Sequence, residues 1–311
     1  MTLPTFLIIG VAKGGTTSLF RYLEQHPQVF MCAMKGTNYF GYEDARAWKW
    51  HDEGDPPLLR NFPVHTFQEY QAAFAGGTGA VAVGEASPQY IRCPTAARRI
   101  HECLPDVKLI VSLRNPAARA FSGFLMRMRR GERVGGIYEE LTAASSHVRE
   151  SFYYHRLKRY YDIFPREQIK VLIFEEFRQD AQGAVQELFE FIGVDPHFVA
   201  DTSTRYNPAS VPRNRLANRL FYNPHLIRAA KALLPLRVQE FAKRLRQQNL
   251  KAPPTLPPDL RERLLDLYRD DIAQLETLID RDLSLWLQPA GPGNGHRPAE
   301  IAAAGTGKAA G

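Results

Sequence analysis

No stretch of this 311-residue chain approaches the roughly 18 apolar residues that a membrane-spanning helix needs. A leader pattern is missing too. The run Phe6 to Ile9 is short, has no basic residue ahead of it and ends in glycines. Cysteine is scarce: Cys32, Cys93 and Cys103 have neither paired nor metal-ligand spacing. That excludes a disulfide framework and points to a reducing compartment, so a cytoplasmic location is expected. Acidic residues are outnumbered, 33 against 40 Lys and Arg, for a net charge of +7. A basic balance suits anionic partners, and it equally describes a generic basic surface. Internal repeats are absent. With 44% hydrophobic residues, what remains is ample for one large domain or two small ones.

Short apolar runs at Phe6–Ile9, Val29–Cys32, Ala80–Val83, Leu109–Leu113 and Ile169–Phe174 read as buried strands. Helical patterns lie between most of them: Ser18–Gln25, Phe67–Phe74 with Thr66 as cap, Pro94–Cys103, Pro116–Arg130, Tyr153–Phe164 and Ala181–Ile192. This alternation predicts an α/β fold, a parallel sheet with helices on both faces. Beyond Gly193 the strand signals stop, and 216–249 and Pro258–Ile279 read as helices. The last segment, 289–311, is rich in Gly, Ala and Pro. It has too little apolar surface to offset its ordering entropy and is expected to be a disordered tail.

Two segments carry chemistry. In "FLIIGVAKGGTTSLFRYL" (6–23) a strand meets a glycine turn and then a helix. Glycines allow close backbone approach, the free N–H groups of a first helical turn point at a ligand, and the helix dipole favours negative charge there. Lys13 adds a full charge; Gly14 and Gly15 shape the turn; Thr16, Thr17 and Ser18 add hydroxyls. The pattern differs from G-x-x-x-x-G-K-[ST], because Thr16 follows the last glycine and the lysine sits inside the loop. In "KLIVSLRNPAARAFSGF" (108–124) Arg114 leaves a strand end, Pro116 opens a helix, and Arg119 and Ser122 lie three apart on it. In a parallel sheet ligands sit beyond such strand ends, and an arginine fork there suits a phosphate. The alternatives are a plain strand-to-helix turn with a solvated lysine, and an Arg114 paired with a carboxylate.

Together, "GVAKGGTTSL" and "LRNPAARAFS" resemble the sulfotransferases that use 3′-phosphoadenosine 5′-phosphosulfate (PAPS), of the heparan-sulfate type and its bacterial relatives. Further similarity covers "GEASPQY", "FPREQIKVLIFEEF" and "LFEFIGV", roughly residues 5–195, with "RYNPASVPRN" as a weaker echo. The resemblance implies a sulfotransferase domain over 1–288, with a helical part from about 214, and a P-loop-like sheet. It implies PAPS as donor, held by Lys13, Gly14, Gly15, Thr16, Thr17 and Ser18 at the 5′-phosphosulfate and by Arg114 and Ser122 at the 3′-phosphate. Arg213 falls where relatives carry a basic loop over the nucleotide. The lysine would sit against the bridging oxygen, and no metal is called for. The acceptor would be a hydroxyl or amine of a carbohydrate, glycolipid or small natural product, with no nucleic-acid partner.

The acceptor half departs from the relatives' patterns. Their K-E-x-H-[YF]-F, whose glutamate is the general base, is "KGTNYF" here, with Gly36 in place of that glutamate and Asn38 in place of the histidine. Their E-K-[ST]-P-x-Y is "EASPQY", with Ala86 in place of the lysine. Glu85, expected at a strand end among cations, is the candidate base, or else a structural carboxylate. His26 and His51 follow as alternatives. A P-loop kinase or NTPase, and a silent nucleotide-binding relative, remain competing readings.

Overall fold

The computed structural model describes residues 2–47, 62–204, 206, 209–223, 226–227 and 236–288. His51 and the expected tail, 289–311, lie outside the described residues, as do Arg205, Asn207 and Pro208.

In chain order the elements are β1 (Phe6–Gly10), α1 (Thr16–Leu23), β2 (Val29–Met31), α2 (Tyr42–Ala47), α3 (Phe67–Ala72), β3 (Ala82–Ala86), α4 (Ala96–Cys103), β4 (Lys108–Leu113) and α5 (Pro116–Arg129). Then follow α6 (Ile137–Glu140), α7 (Ser146–Arg149), α8 (Tyr154–Tyr161), β5 (Ile169–Ile173), α9 (Phe174–Gln179), α10 (Ala181–Ile192), β6 (Val211–Pro212) and α11 (Arg215–Phe221). The helix Leu236–Gln248, the strand β7 (Leu250–Lys251) and the long helix Pro258–Ile279 complete the order, with a last turn at Ser284–Leu287.

The five main strands form one sheet in the order β2-β3-β1-β4-β5, every pairing parallel. Alternation along β1 divides the core. Leu7 and Ile9 face a layer that includes α4, α5, α8 and the long C-terminal helix. Phe6 and Ile8 face α1 and α10. This is the α/β architecture that the sequence pattern predicts, because buried strands with both faces covered need apolar residues at successive positions. The Thr66 cap is present as a reciprocal capping box with Glu69.

Three differences from the sequence reading matter. The third strand starts later and runs through Glu85 to Ala86. Gly84 permits this: a Cβ there would lie 2.1 Å from the Phe6 ring, so β1 and β3 approach closely only because that position has no side chain. The segment read as helical over 216–249 is interrupted: its described residues include the helices Arg215–Phe221 and Leu236–Gln248, with Tyr222 and Asn223 outside any helix. Strand structure also continues beyond Gly193, since β6 and β7 form a small antiparallel pair. Two-residue strands carry no periodicity that a sequence pattern could reveal. No described helix is long and apolar enough to cross a membrane.

Candidate active site

The β1–α1 loop stands at the C-terminal edge of the sheet, beside the β4–α5 turn. Val11 N–H donates to the Ser112 carbonyl at 3.0 Å, and the Ser112 hydroxyl donates to the Gly14 carbonyl. The backbone at Gly14 is pressed so close that a Cβ would meet the Ser112 oxygen at 2.4 Å. Gly15, with φ of 86°, turns the chain into α1 through the left-handed region, which favours glycine. The result is a helix N-terminus with open donors. Among the described residues no protein acceptor takes the N–H of Gly15, Thr16 or Thr17. Such groups at the positive end of a helix form an anion cradle. Thr16 is buried; Thr17 and Ser18 are half-buried beside it.

Lys13 lies in this loop with φ of 75°. Burial first, and then the nearby charges of Arg114, Arg129, Arg119 and Arg130, together lower its pKa to about 8. No described carboxylate forms an ion pair with it. Arg114 leaves the end of β4. One of its terminal N–H groups donates to the Lys13 carbonyl at 3.2 Å, and the guanidinium stacks 4.8 Å over the Phe174 ring. Its Nε is buried and has no partner. A buried guanidinium donor without an acceptor is costly, and an anionic ligand oxygen would satisfy it. This excludes the alternative of an Arg114 paired directly with a carboxylate among the described residues. Glu175 is instead spent nearby, accepting from Asn115 N–H and Trp286 Nε1.

Arg119, one turn into α5, is 2% exposed. Its Nε donates to the Ala12 carbonyl at 3.1 Å, one terminal nitrogen donates to the His147 carbonyl, and the other pairs with Glu150. Arg92 binds the other Glu150 oxygen at 2.8 Å. Burial pushes the Glu150 carboxyl up, but Arg92 and Arg119 together outweigh it and hold the pKa at about 2. Ser122 is buried on the same helix. No described hydrogen bond joins it to the β1–α1 loop. Arg213 directly follows β6, where its Nε donates to the Leu250 carbonyl, and no described contact brings it to the loop.

Glu85 departs from its expected surroundings. The expectation is a strand end among cations; Glu85 is indeed one residue from the end of β3, but it has no exposure and hydroxyls instead of cations around it. Its partner across the sheet is Leu7, three residues before Gly10, which places it about 10 Å below the start of the loop at ~3.3 Å per residue. Its neighbours are hydroxyls. Thr37 Oγ1 donates to Oε2 at 2.9 Å, and Ser87, Tyr90 and Tyr70 also face the carboxyl. Burial therefore raises its pKa, and the hydroxyls offset only part of that rise. His26 is also structural. Its Nε2 meets the Asp195 carbonyl, its Nδ1 accepts from Gln28 N–H, and the ring lies between Phe189 and Phe198.

The segment 35–40 is rebuilt, not merely substituted. Gly36 has φ of 84° and Asn38 φ of 50°. Glutamate in the relatives' position would be strained in this backbone. The turns bring Lys35 across to α1, where its Nζ donates to Thr17 Oγ1. Sequence reasoning missed this contact; the signal available was the lysine that the segment keeps while its glutamate is gone.

A profile of the sulfotransferase family matches residues 4–198. The chain belongs to that family. Among curated proteins, it is 34% identical over 124 residues to the membrane-associated sulfotransferase kil1 of Dictyostelium discoideum, covering 40% of this chain and 23% of that protein. It is 28% identical over 210 residues to human heparan sulfate glucosamine 3-O-sulfotransferase 6, covering 63% of this chain and 55% of the relative. The match thus spans about half or less of those relatives' lengths. Among solved structures, a sulfotransferase from Alicyclobacillus acidocaldarius aligns with a TM-score of 0.69 at 29% identity, over 93% of this chain and 100% of that one.

Proposed function

We propose that the protein moves a sulfuryl group from PAPS to a hydroxyl or amine of a carbohydrate, glycolipid or small natural product. One observation carries the reading: an anion cradle with open N–H donors and Lys13 stands beside Arg114, whose buried Nε has no partner. A nucleotide with a phosphosulfate at one end and a phosphate at the other suits that pair of donor sets. PAPS supplies an activated sulfuryl group on a good leaving phosphate. Lys13 then stabilises charge as it grows on the leaving oxygen, which is where a fixed cation acts most strongly. The β1–α1 loop orients the phosphosulfate, Arg114 and Ser122 take the 3′-phosphate, and Arg119 fixes the loop through the Ala12 carbonyl.

Glu85 receives a holding role in this reading. Its depth in β3 and its hydroxyl partners suit a group that secures the Thr37 segment under the site. The decisive experiment is transfer of labelled sulfate from PAPS to a panel of saccharide, glycolipid and phenolic acceptors, run with a metal chelator. Labelled product supports the reading. PAPS binding without any product favours a nucleotide-binding relative that is catalytically silent, and phosphoryl transfer from ATP would favour a kinase.

A further inference from the structure

The loop after β2 carries the lysine that the mechanism above leaves unused. Lys35 lies 18 residues beyond Thr17, yet its Nζ donates to the Thr17 hydroxyl. Thr17 belongs to the first turn of α1, the turn whose backbone N–H groups stay open. A lysine usually satisfies itself in water or on a carboxylate. Here, though exposed to water, it also donates to a neutral hydroxyl, and its charged neighbours are Arg21 and Lys13. Arg21 is committed to Glu24. No described carboxylate pairs with either lysine. Two ammonium groups converging on one helix N-terminus without a counter-ion repel each other, and a multiply charged anion between them turns that repulsion into attraction. Lys35 is exposed at the surface, and partial desolvation together with the charges of Arg21 and Lys13 still lowers its pKa to about 8.

The neighbouring strand explains why a second cation comes from this direction. Ala86 ends β3 with a fully buried methyl group, so that strand brings no charge to the rim. Gly36 and Asn38, both in left-handed conformation, turn the chain immediately after Lys35.

We propose that Lys35 is the second cation of the phosphosulfate site and contacts oxygens of the 5′ group alongside Lys13 and Thr17. The assignment rests on the sulfuryl-transfer reading. It makes Lys35 a binding residue of the donor site.

The test compares wild type with Lys35→Ala and Lys35→Arg by titration calorimetry, using 3′-phosphoadenosine 5′-phosphate and adenosine 3′-monophosphate, with melting temperatures measured alongside. The expected result is that Lys35→Ala weakens the bisphosphate roughly 10- to 100-fold, the worth of one charge-assisted hydrogen bond, and leaves the 3′-monophosphate unchanged. Lys35→Arg should recover part of the loss. An unchanged bisphosphate affinity, or an equal loss for both nucleotides at an unchanged melting temperature, overturns the assignment. If wild type binds neither nucleotide, the PAPS reading itself fails, and the role of Lys35 with it.

Discussion

Arg119→Met should unfold the site's foundation without touching its surface. Three interactions are lost at once: the pair with Glu150, the Nε bond to the Ala12 carbonyl and the bond to the His147 carbonyl. The first can be sized from the carboxyl. Holding Glu150 at about 2 instead of 4.5 is worth roughly 3 kcal/mol, from ~1.4 kcal/mol per tenfold change in the proton equilibrium. Arg92 shares that effect, so about half belongs to Arg119, and the Ala12 carbonyl left without its side-chain donor adds roughly 1–3 kcal/mol, whereas the His147 carbonyl keeps the Ser151 hydroxyl. The sum, ~3–5 kcal/mol, agrees with the usual cost of breaking a buried ion pair from one side. Urea denaturation at pH 7 measures it. The pH dependence is a second readout. A carboxyl with a depressed folded pKa stabilises fully above 4.5, and the contribution disappears as pH falls through about 2. The gap between wild type and variant should therefore narrow between pH 5 and 3. A loss below ~1 kcal/mol at pH 7, or a gap unchanged by acid, would refute the assigned role of the pair.

Lys13→Ala should lower turnover by ~10²–10³ and nucleotide affinity by less, measured by single-turnover sulfation and calorimetry; near-normal turnover would remove Lys13 from the chemistry. Since the free enzyme's Lys13 titrates near 8, donor affinity should fall as pH rises through 8 to 10, whereas the folded protein gains stability over that range because the unfolded lysine still holds its proton. Arg114→Ala should weaken PAPS by ~1.5–3 kcal/mol and leave an analogue without the 3′-phosphate unaffected, and equal losses would place the guanidinium elsewhere. Glu85→Gln should keep turnover within about tenfold of wild type while the melting temperature falls by ~2–4 °C per kcal/mol lost; a hundredfold drop at an unchanged melting point would instead mark Glu85 as the base.

The donor half of the site was legible because it is written in contiguous residues. A strand, three glycines, a lysine and three hydroxyls within residues 6–18 specify a loop whatever packs around them, and Arg114 with Pro116 does the same at β4. The acceptor half was not. Glu85 stands one residue from the end of β3, but the hydroxyls of Thr37, Ser87, Tyr90 and Tyr70 that surround it come from tertiary packing, not from its own stretch of sequence. The Lys35–Thr17 contact depends on left-handed turns at Gly36 and Asn38, and a sequence with those residues fits many turns. The Arg92–Glu150–Arg119 cluster joins three segments that no spacing rule connects. Local backbone chemistry can be read along the chain; partners set by tertiary packing cannot.

The Trp286 carbonyl accepts from the Asn115 side-chain amide across 171 residues, and the Trp286 indole meets Glu175. This sets an order of events during synthesis. At ~5–20 residues per second, a ribosome needs roughly 9–34 s after making Asn115 before Trp286 exists. Throughout that interval the turn that presents Arg114 lacks its final brace, although every residue of the nucleotide loop has already been made. A chain interrupted anywhere in the long C-terminal helix would thus carry both signature motifs intact and still leave the Asn115 amide and the Glu175 carboxylate short of a partner. Early release should yield a protein recognisable by sequence but poor at holding nucleotide.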